Sequence, residues 1–409
     1  MGSHSHEIEL DPRKIELAKD SGWRRVPAIA GVVGVAALGA AFALKGDHDH
    51  EFYYAYLTAF MTFLAFGLGG LIFVMLQHIT RAGWSVVVRR LAENVALTLI
   101  PMAVLSIPIW TIGMESLFHW AEPHALDHDP VLAAKASYLN PASFQTRAIG
   151  YLAIWAGLAW FYYSTSRKMD TTRDWNLSIP MWRVSAPGIV LFAMSLTFAA
   201  FDWLMSLDPH WFSTIFGVYY FAGAFAGIHA LLAVLVISLH RSGYLKPYVN
   251  AEHFHDLGKF MFAFTVFWAY AGFSQYMLYW YASIPEETEW FAYRGVGQWL
   301  TLSLVLVFWK FVLPFLGLLA RTIKRNPSTL YFWGVWILIG QYIDMYWLIQ
   351  PVLAHHEHRE VIHFGLVDVL TLVGIGGVFF ASLTWALGRA PLVPVGDPRL
   401  QESLHHENF

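Results

Sequence analysis

Long apolar stretches separated by short polar segments recur along the whole chain. A membrane-crossing helix needs about 20 mostly apolar residues. Ten stretches answer to that description: 27–44, 52–77, 86–110, 148–164, 187–207, 214–239, 260–281, 296–320, 330–353 and 364–387. The pattern predicts an all-α polytopic membrane protein with ten transmembrane helices. The first stretch reads as a span rather than a cleavable leader. It is too long for a leader's apolar core, and no small-residue cleavage site precedes the polar Asp47, His48, Asp49 and His50.

Composition sharpens the picture. Of the 409 residues, 57% are hydrophobic and only 13% are charged, about half the roughly 25% of a soluble domain. Twenty of the 26 Lys and Arg lie at the N-terminal side of an alternating topology, five (Lys45, Lys135, Arg147, Arg294 and Arg359) lie in the loops of the other side, and Lys310 falls inside a span. The positive-inside rule then puts both termini in the cytoplasm. The opposite loops are acidic and rich in histidine. Segment 113–143 carries Glu115, His119, Glu122, His124, Asp127, His128 and Asp129, and the last loop carries His355, His356, His358 and His363. A helical loop would set Glu115 and His119 one turn apart, a metal-ligand spacing. The simpler reading is a solvated docking surface. With no cysteine, disulfides, thiolate nucleophiles, iron–sulfur ligation and covalent haem attachment are all excluded. A net charge of −3 gives no reason to expect nucleic acid.

Landmarks repeat. Stretch 52–77 is followed by His78, Arg81, Gly83 and Trp84, and stretch 214–239 by His240, Arg241, Gly243 and Tyr244. Asp202 precedes Pro209 by seven residues, as Asp344 precedes Pro351, with Trp203 and Trp347 nearby. Two parallel-related four-helix bundles follow, spans 2–5 within 52–212 and spans 6–9 within 213–363. Around them are expected a cytoplasmic segment (1–26), a first span with its outer loop (27–51), a tenth span (364–388) and a cytoplasmic tail (389–409).

A charge at the bilayer centre costs at least about 2.5 kcal/mol, so each one needs an explanation. Arg89 and Glu93 share a helical face, flanked by Arg90 and Asn94. Lys310 and His229 fall mid-span, and Asp368 lies one turn into the last. Asp202 and Asp344, read as buried without a cationic partner, are expected to hold protons about 10 Å inside the outer boundary at 1.5 Å per residue. His210 or the His355 and His356 pair would pass those protons outward. Arg89, Glu93, Lys310 and His229 would form a cytoplasmic half-path, with Thr98, Ser303 and Tyr219 as links. The structural readings are an ion pair for Arg89 with Glu93, snorkelling or pairing for Lys310, an interhelical bond for His229, and indole or phenol locks for the two Asp. With His229 the one central histidine, intrinsic b-haem and haem-copper centres are set aside, and no phosphate loop, dinucleotide fingerprint or HExxH is present. A quinone needs an apolar slot, aromatic walls and one or two polar groups. His210, Gln275, Tyr276 and Trp347 are the candidates for its surroundings, although aromatic belts occur at every membrane interface.

Several strings are specific. Residues 201–217, with Tyr219 and Gly223 beyond, then 255–259, 273–276 and 280–288 resemble the signature of ActF-type membrane subunits of alternative complex III, within the NrfD-like (polysulfide reductase membrane subunit) family. The resemblance covers essentially the whole chain. It implies two four-helix bundles in a bacterial inner-membrane quinol:electron-acceptor oxidoreductase. The implied partners are a sister subunit, ActC, a periplasmic iron–sulfur subunit, c-type cytochrome subunits and, in some assemblies, a terminal oxidase. It implies no haem or cluster on this chain; menaquinone or ubiquinone and structural lipids remain open as ligands. The competing readings are an independent proton-coupled transporter and a purely structural membrane anchor.

Overall fold

The computed structural model describes residues 8–46 and 49–407, without the side chains of Leu126 and His128. Asp47 and His48 of the first outer loop lie outside the described residues. Among the described residues there are helices and connecting segments but no strand. Helices occupy each of the apolar stretches. These are α1 (Val26–Leu44), α2 (Asp49–Ile79), α3 (Val86–Leu97, continued by Leu99–Leu105 and Ile107–Trp110), α4 (Pro141–Thr172) and α5 (Ser178–Trp203). Then follow α6 (Phe216–Arg241), α7 (Ala251–Ala282), α8 (Gly297–Val307, Phe308–Val312 and Leu313–Leu319), α9 (Pro327–His356) and α10 (Leu366–Leu387). Six of them, α1, α2, α5, α6, α8 and α10, are long and apolar enough to cross a membrane.

Local chemistry explains where these helices begin. Asn140, Asn250 and Asn326 cap α4, α7 and α9, their side chains accepting from Ser143, Glu252 and Ser328 backbone N–H at 2.9, 3.0 and 2.9 Å. Pro141 and Pro327 take the first helical position, where no N–H is needed. Helices α2 and α6 are apolar all round and nearly completely buried, which makes them the centre of the molecule. Contacts run around a ring from α2 through α3, α4 and α5 back to α2, and around a second ring from α6 through α7, α8 and α9 back to α6. The rings meet along α2, α5, α6 and α9. Helix α1 lies outside, along α10. A Cβ built on Gly377 would stand 2.6 Å from the Gly34 Cα, so the two backbones touch there and tolerate no side chain.

Both terminal segments meet on one face, called here the terminal face. Leu392 N–H donates to Ile15 O at 2.7 Å, and Gln401 bonds both ways with the Ile8 backbone at 3.1 Å. Residues 389–407 form a tail across the ends of α3 and α4. Arg173 donates to Val395 O at 2.5 Å, Gly396 N–H to Asp170 at 3.0 Å, and Ser403 Oγ to Trp84 O at 2.6 Å.

Candidate functional site

The chemistry gathers where α6, α7, α8 and α9 meet. Helix α8 departs from α-geometry at Phe308–Val312, which forms a π turn. The cause is Pro314, which has no N–H for the Lys310 carbonyl four residues earlier and whose ring crowds that turn. Trp336 of α9 braces the turn, its indole donating to Trp309 O at 2.8 Å. The Trp309 indole returns a bond to Trp336 O at 3.0 Å, and the rings stack at 3.8 Å. Trp336→Phe keeps the stack but removes one donor. It is expected to lower stability by about 1 kcal/mol, the net worth of a half-buried hydrogen bond, as measured by reversible denaturation in mixed micelles.

The π turn brings Lys310, 3% exposed, into the bundle. Its ammonium bonds the Asp344 carboxylate of α9, donates to Gln341 Oε1 at 2.8 Å and lies 4.7 Å over the Trp268 ring. Asp344, 1% exposed, also accepts from Tyr219 of α6 at 2.5 Å and from the Trp268 indole of α7 at 3.1 Å. One carboxylate therefore takes donors from three neighbouring helices. Gly223 lets α6 come this close, since a Cβ there would stand 2.9 Å from Gln341 Oε1 and 3.3 Å from the Lys310 nitrogen.

Asp202 has a different partner. Arg147 of α4 grips it with two parallel bonds of 2.8 and 2.9 Å, and Tyr151 adds a third at 2.9 Å. The guanidinium also lies 3.8 Å over the Tyr138 ring and bonds Tyr138 O and Ser143. The expectation that both acids are buried without a cation is thus corrected for each of them. Arg147 was read as a loop charge because α4 starts seven residues before the apolar stretch does, and Lys310 as a separate mid-span charge because the bend that turns it toward α9 is tertiary.

The other expected members stand apart. His229 is fully buried among phenylalanines, stacked 4.8 Å from Phe260 and edge-on to Phe225 at 4.6 Å, with Nδ1 bonding Phe225 O at 2.7 Å. Arg89 pairs with Asp397 of the tail and lies 3.7 Å from Glu93. Glu93 receives its closer bond from Arg90 at 2.9 Å. Among the described residues no hydrogen bond joins Lys310, His229 and the Arg89–Glu93 group. Of the proposed links, Tyr219 reaches Asp344. Thr98 bonds Val95 O at 2.6 Å in its own helix, and Ser303 accepts the Trp347 indole at 2.7 Å on the opposite side of Lys310 from the terminal face. Asp368 caps the first turn of α10, accepting from Gly365 N–H at 2.8 Å.

Three of the four residues proposed around a quinone bond neighbouring residues, and the fourth, Tyr276, makes only a ring contact. Gln275 accepts from Ser213 at 2.9 Å, Trp347 donates to Ser303, and His210 bonds Asp129 at 2.5 Å. Tyr276 is half-exposed, edge-on to Phe291 at 5.3 Å. None of the four lines the cavity of about 220 Å³ walled by Trp299, Tyr346, Gln350 and Asp368, nor that of about 370 Å³ beside Lys135, Phe198 and Trp211. Glu115 is not drawn to His119, which pairs with Glu122 at 3.2 Å.

Sequence reading missed Arg294, counted only as a loop charge. It is 1% exposed, lies 3.4 Å over Trp290, and donates to Trp347 O at 3.3 Å and Leu348 O at 2.8 Å. Pro351 leaves the Trp347 carbonyl without its helical donor. An intrahelical proline four residues after a carbonyl is the signal that a donor from elsewhere must be found.

At the terminal face, His253 bonds its own cap residue Asn250 and approaches Ser403 of the tail at 3.5 Å. It lies ahead of the apolar stretch of α7. Burial pushes its imidazole down to about 4, and the nearby His406 adds to the effect. Between pH 6.5 and 4 the folded protein therefore binds fewer protons at this site than the unfolded chain, so local stability falls as pH falls. A dye on His405→Cys, the one thiol in the chain, is expected to gain rotational freedom between pH 7 and 5, and His253→Gln to flatten that response.

Comparison with protein-family models gives no match, and comparison with curated proteins gives none.

Proposed function

We propose that this chain is the ActF-type membrane subunit of a respiratory quinol:electron-acceptor oxidoreductase of the alternative complex III class, and that it handles protons rather than electrons. In this reading all ten helices cross a bacterial inner membrane, with the terminal face in the cytoplasm. The two contact rings are parallel-related bundles in which α2 to α5 correspond to α6 to α9. The signature strings at 201–217, 255–259, 273–276 and 280–288 support it, as does a chain with no thiolate for a cluster.

The observation that carries the proton role is the Lys310–Asp344 centre. Each bundle holds a carboxylate facing a cation from the preceding helix, yet the cations differ in kind. A guanidinium stays charged under all physiological conditions, so Arg147 locks Asp202. A buried lysine ammonium can give up its proton. Transfer from the Lys310 nitrogen to Asp344 leaves a neutral amine beside a neutral acid, and Tyr219 offers the next oxygen. Lys310, Asp344 and Tyr219 are the residues on which the proposal rests; His229, Arg89 and Glu93 take no direct part in that relay. Quinol oxidation is assigned to partners, ActC among them, because His210, Gln275 and Trp347 bond neighbouring residues and none of these or Tyr276 lines a cavity. Iron–sulfur and c-haem subunits would then carry the electrons.

Purification from native membranes tests the assignment. Recovery with haem-bearing and cluster-bearing subunits is expected. A lone monomer that takes up a solute with protons after reconstitution would replace it with the transporter reading.

A further inference from the structure

Beneath the tail, a group of buried polar atoms makes no hydrogen bond with the described residues. Arg89 Nε, Arg90 Nη1, Glu93 Oε1, Asn94 Oδ1, Ser85 Oγ and His78 Nε2 all sit in side chains no more than 6% exposed, and no described group hydrogen-bonds any of them. They share one neighbourhood. Arg89 Nε lies 3.7 Å from Glu93 Oε1, and Arg90 Nε bonds Glu93 Oε2 at 2.9 Å. Ser85 precedes Arg89 by one turn and accepts its N–H at 2.8 Å through its carbonyl. The other Arg90 nitrogen donates to Ser166 and Asp170 of α4 at 2.9 and 2.6 Å. One turn before Ser166, Tyr162 stacks on the His78 ring at 5.5 Å.

Native proteins rarely leave buried polar atoms unpaired, and an ordered water or ion is the usual partner. The donor and acceptor types decide which. An anion would satisfy Arg89 Nε and Arg90 Nη1 but repel Glu93 and Asn94. A cation would do the reverse. Two guanidinium groups face three carboxylates (Glu93, Asp170 and Asp397), a balance that disfavours an anion, while a metal cation would leave Arg89 Nε and Arg90 Nη1 without an acceptor. Water donates and accepts at once, and alone serves both sets.

The tail closes this region. Asp397 pairs with Arg89, and Gly396 N–H bonds Asp170 at 3.0 Å. A Cβ on Gly396 would stand 2.3 Å from Met169 O, so the tail backbone lies directly on the end of α4. Ser403 clamps both Trp84 O and Val87 N–H, at 2.6 and 3.2 Å. We infer that α2, α3 and α4 enclose a water-filled chamber lined by Arg89, Arg90, Glu93 and Asn94, and that the tail is its lid, held by Asp397. The chamber stands on hydrogen-bond satisfaction alone and does not depend on the oxidoreductase reading.

The chain has no cysteine, so a single thiol reports on one place. Ser85→Cys is nearly isosteric. In the full chain in lipid vesicles, a small cationic methanethiosulfonate is expected to modify it slowly, and about tenfold faster when Asp397→Asn loosens the lid. Ala59→Cys, buried deep in α2, is the control and should stay unreacted in both backgrounds. No modification of Ser85→Cys in either background would overturn the chamber, and equal rates in both would overturn the lid. Radiolytic hydroxyl labelling of the unaltered protein provides a test without substitutions. Buried water marks adjacent side chains, so Tyr162 and His78, stacked beside the chamber, should be oxidised despite their burial, and their protection would contradict the inference.

Discussion

Lys310→Met is expected to cost about 3–5 kcal/mol of folding stability, because it leaves Asp344 buried with neutral donors only. The size follows from position: the cation is 3% exposed and the acid 1%, so water cannot take the place of the missing partner. Removing both charges together has a different outcome. Lys310→Met with Asp344→Leu replaces a buried pair by apolar groups of similar bulk, a change that is often neutral. The double variant should recover most of the lost stability, and a double-mutant cycle by reversible denaturation in mixed micelles measures the coupling directly. Function separates the two roles. If the pair only joins helices, the stable double variant stays active; the account expects it to fold, assemble and fail to move protons.

Arg147→Gln should destabilise by a comparable amount, about 3 kcal/mol, through loss of two charge-assisted bonds to Asp202 and of the stack on Tyr138. Asp202→Asn should destabilise as well. Proton release per electron in the assembled complex is expected to stay at the wild-type level in Asp202→Asn. A fixed guanidinium cannot pass a proton on, so this pair is a latch. Equal loss of coupling in Asp202→Asn and Asp344→Asn would place both acids in the path and remove the distinction between them.

How much of this was legible in the sequence differs from element to element. Long apolar runs located each of the ten long helices, because burial from water is written in composition over about twenty residues. Helix ends were less visible. Helix α4 begins at Pro141, capped by Asn140, well ahead of its apolar stretch, and so Arg147 was taken for a loop residue. The deep acids were found because a charge among apolar residues stands out. Their partners were not, since which helix faces which is decided by packing. Pro314 and Lys310 were both in view, yet the link between them needs the lost i−4 bond and the π turn that follows from it. The tail carried the weakest signal of all. Nothing in residues 389–407 announces that Asp397 reaches Arg89, because that contact closes over 308 positions of chain.

In the function proposed above, Lys310 and Asp344 carry protons within a quinol-oxidising assembly. The most direct test is proton release per electron during quinol oxidation by the intact complex in sealed vesicles, wild type against Asp344→Asn. Asparagine keeps the shape, accepts from the Trp268 indole through its oxygen and donates to the Tyr219 oxygen through its amide nitrogen, but it cannot titrate. The account predicts an assembled complex with its full haem content and a clearly lower proton yield, while an unchanged yield at unchanged turnover would contradict it.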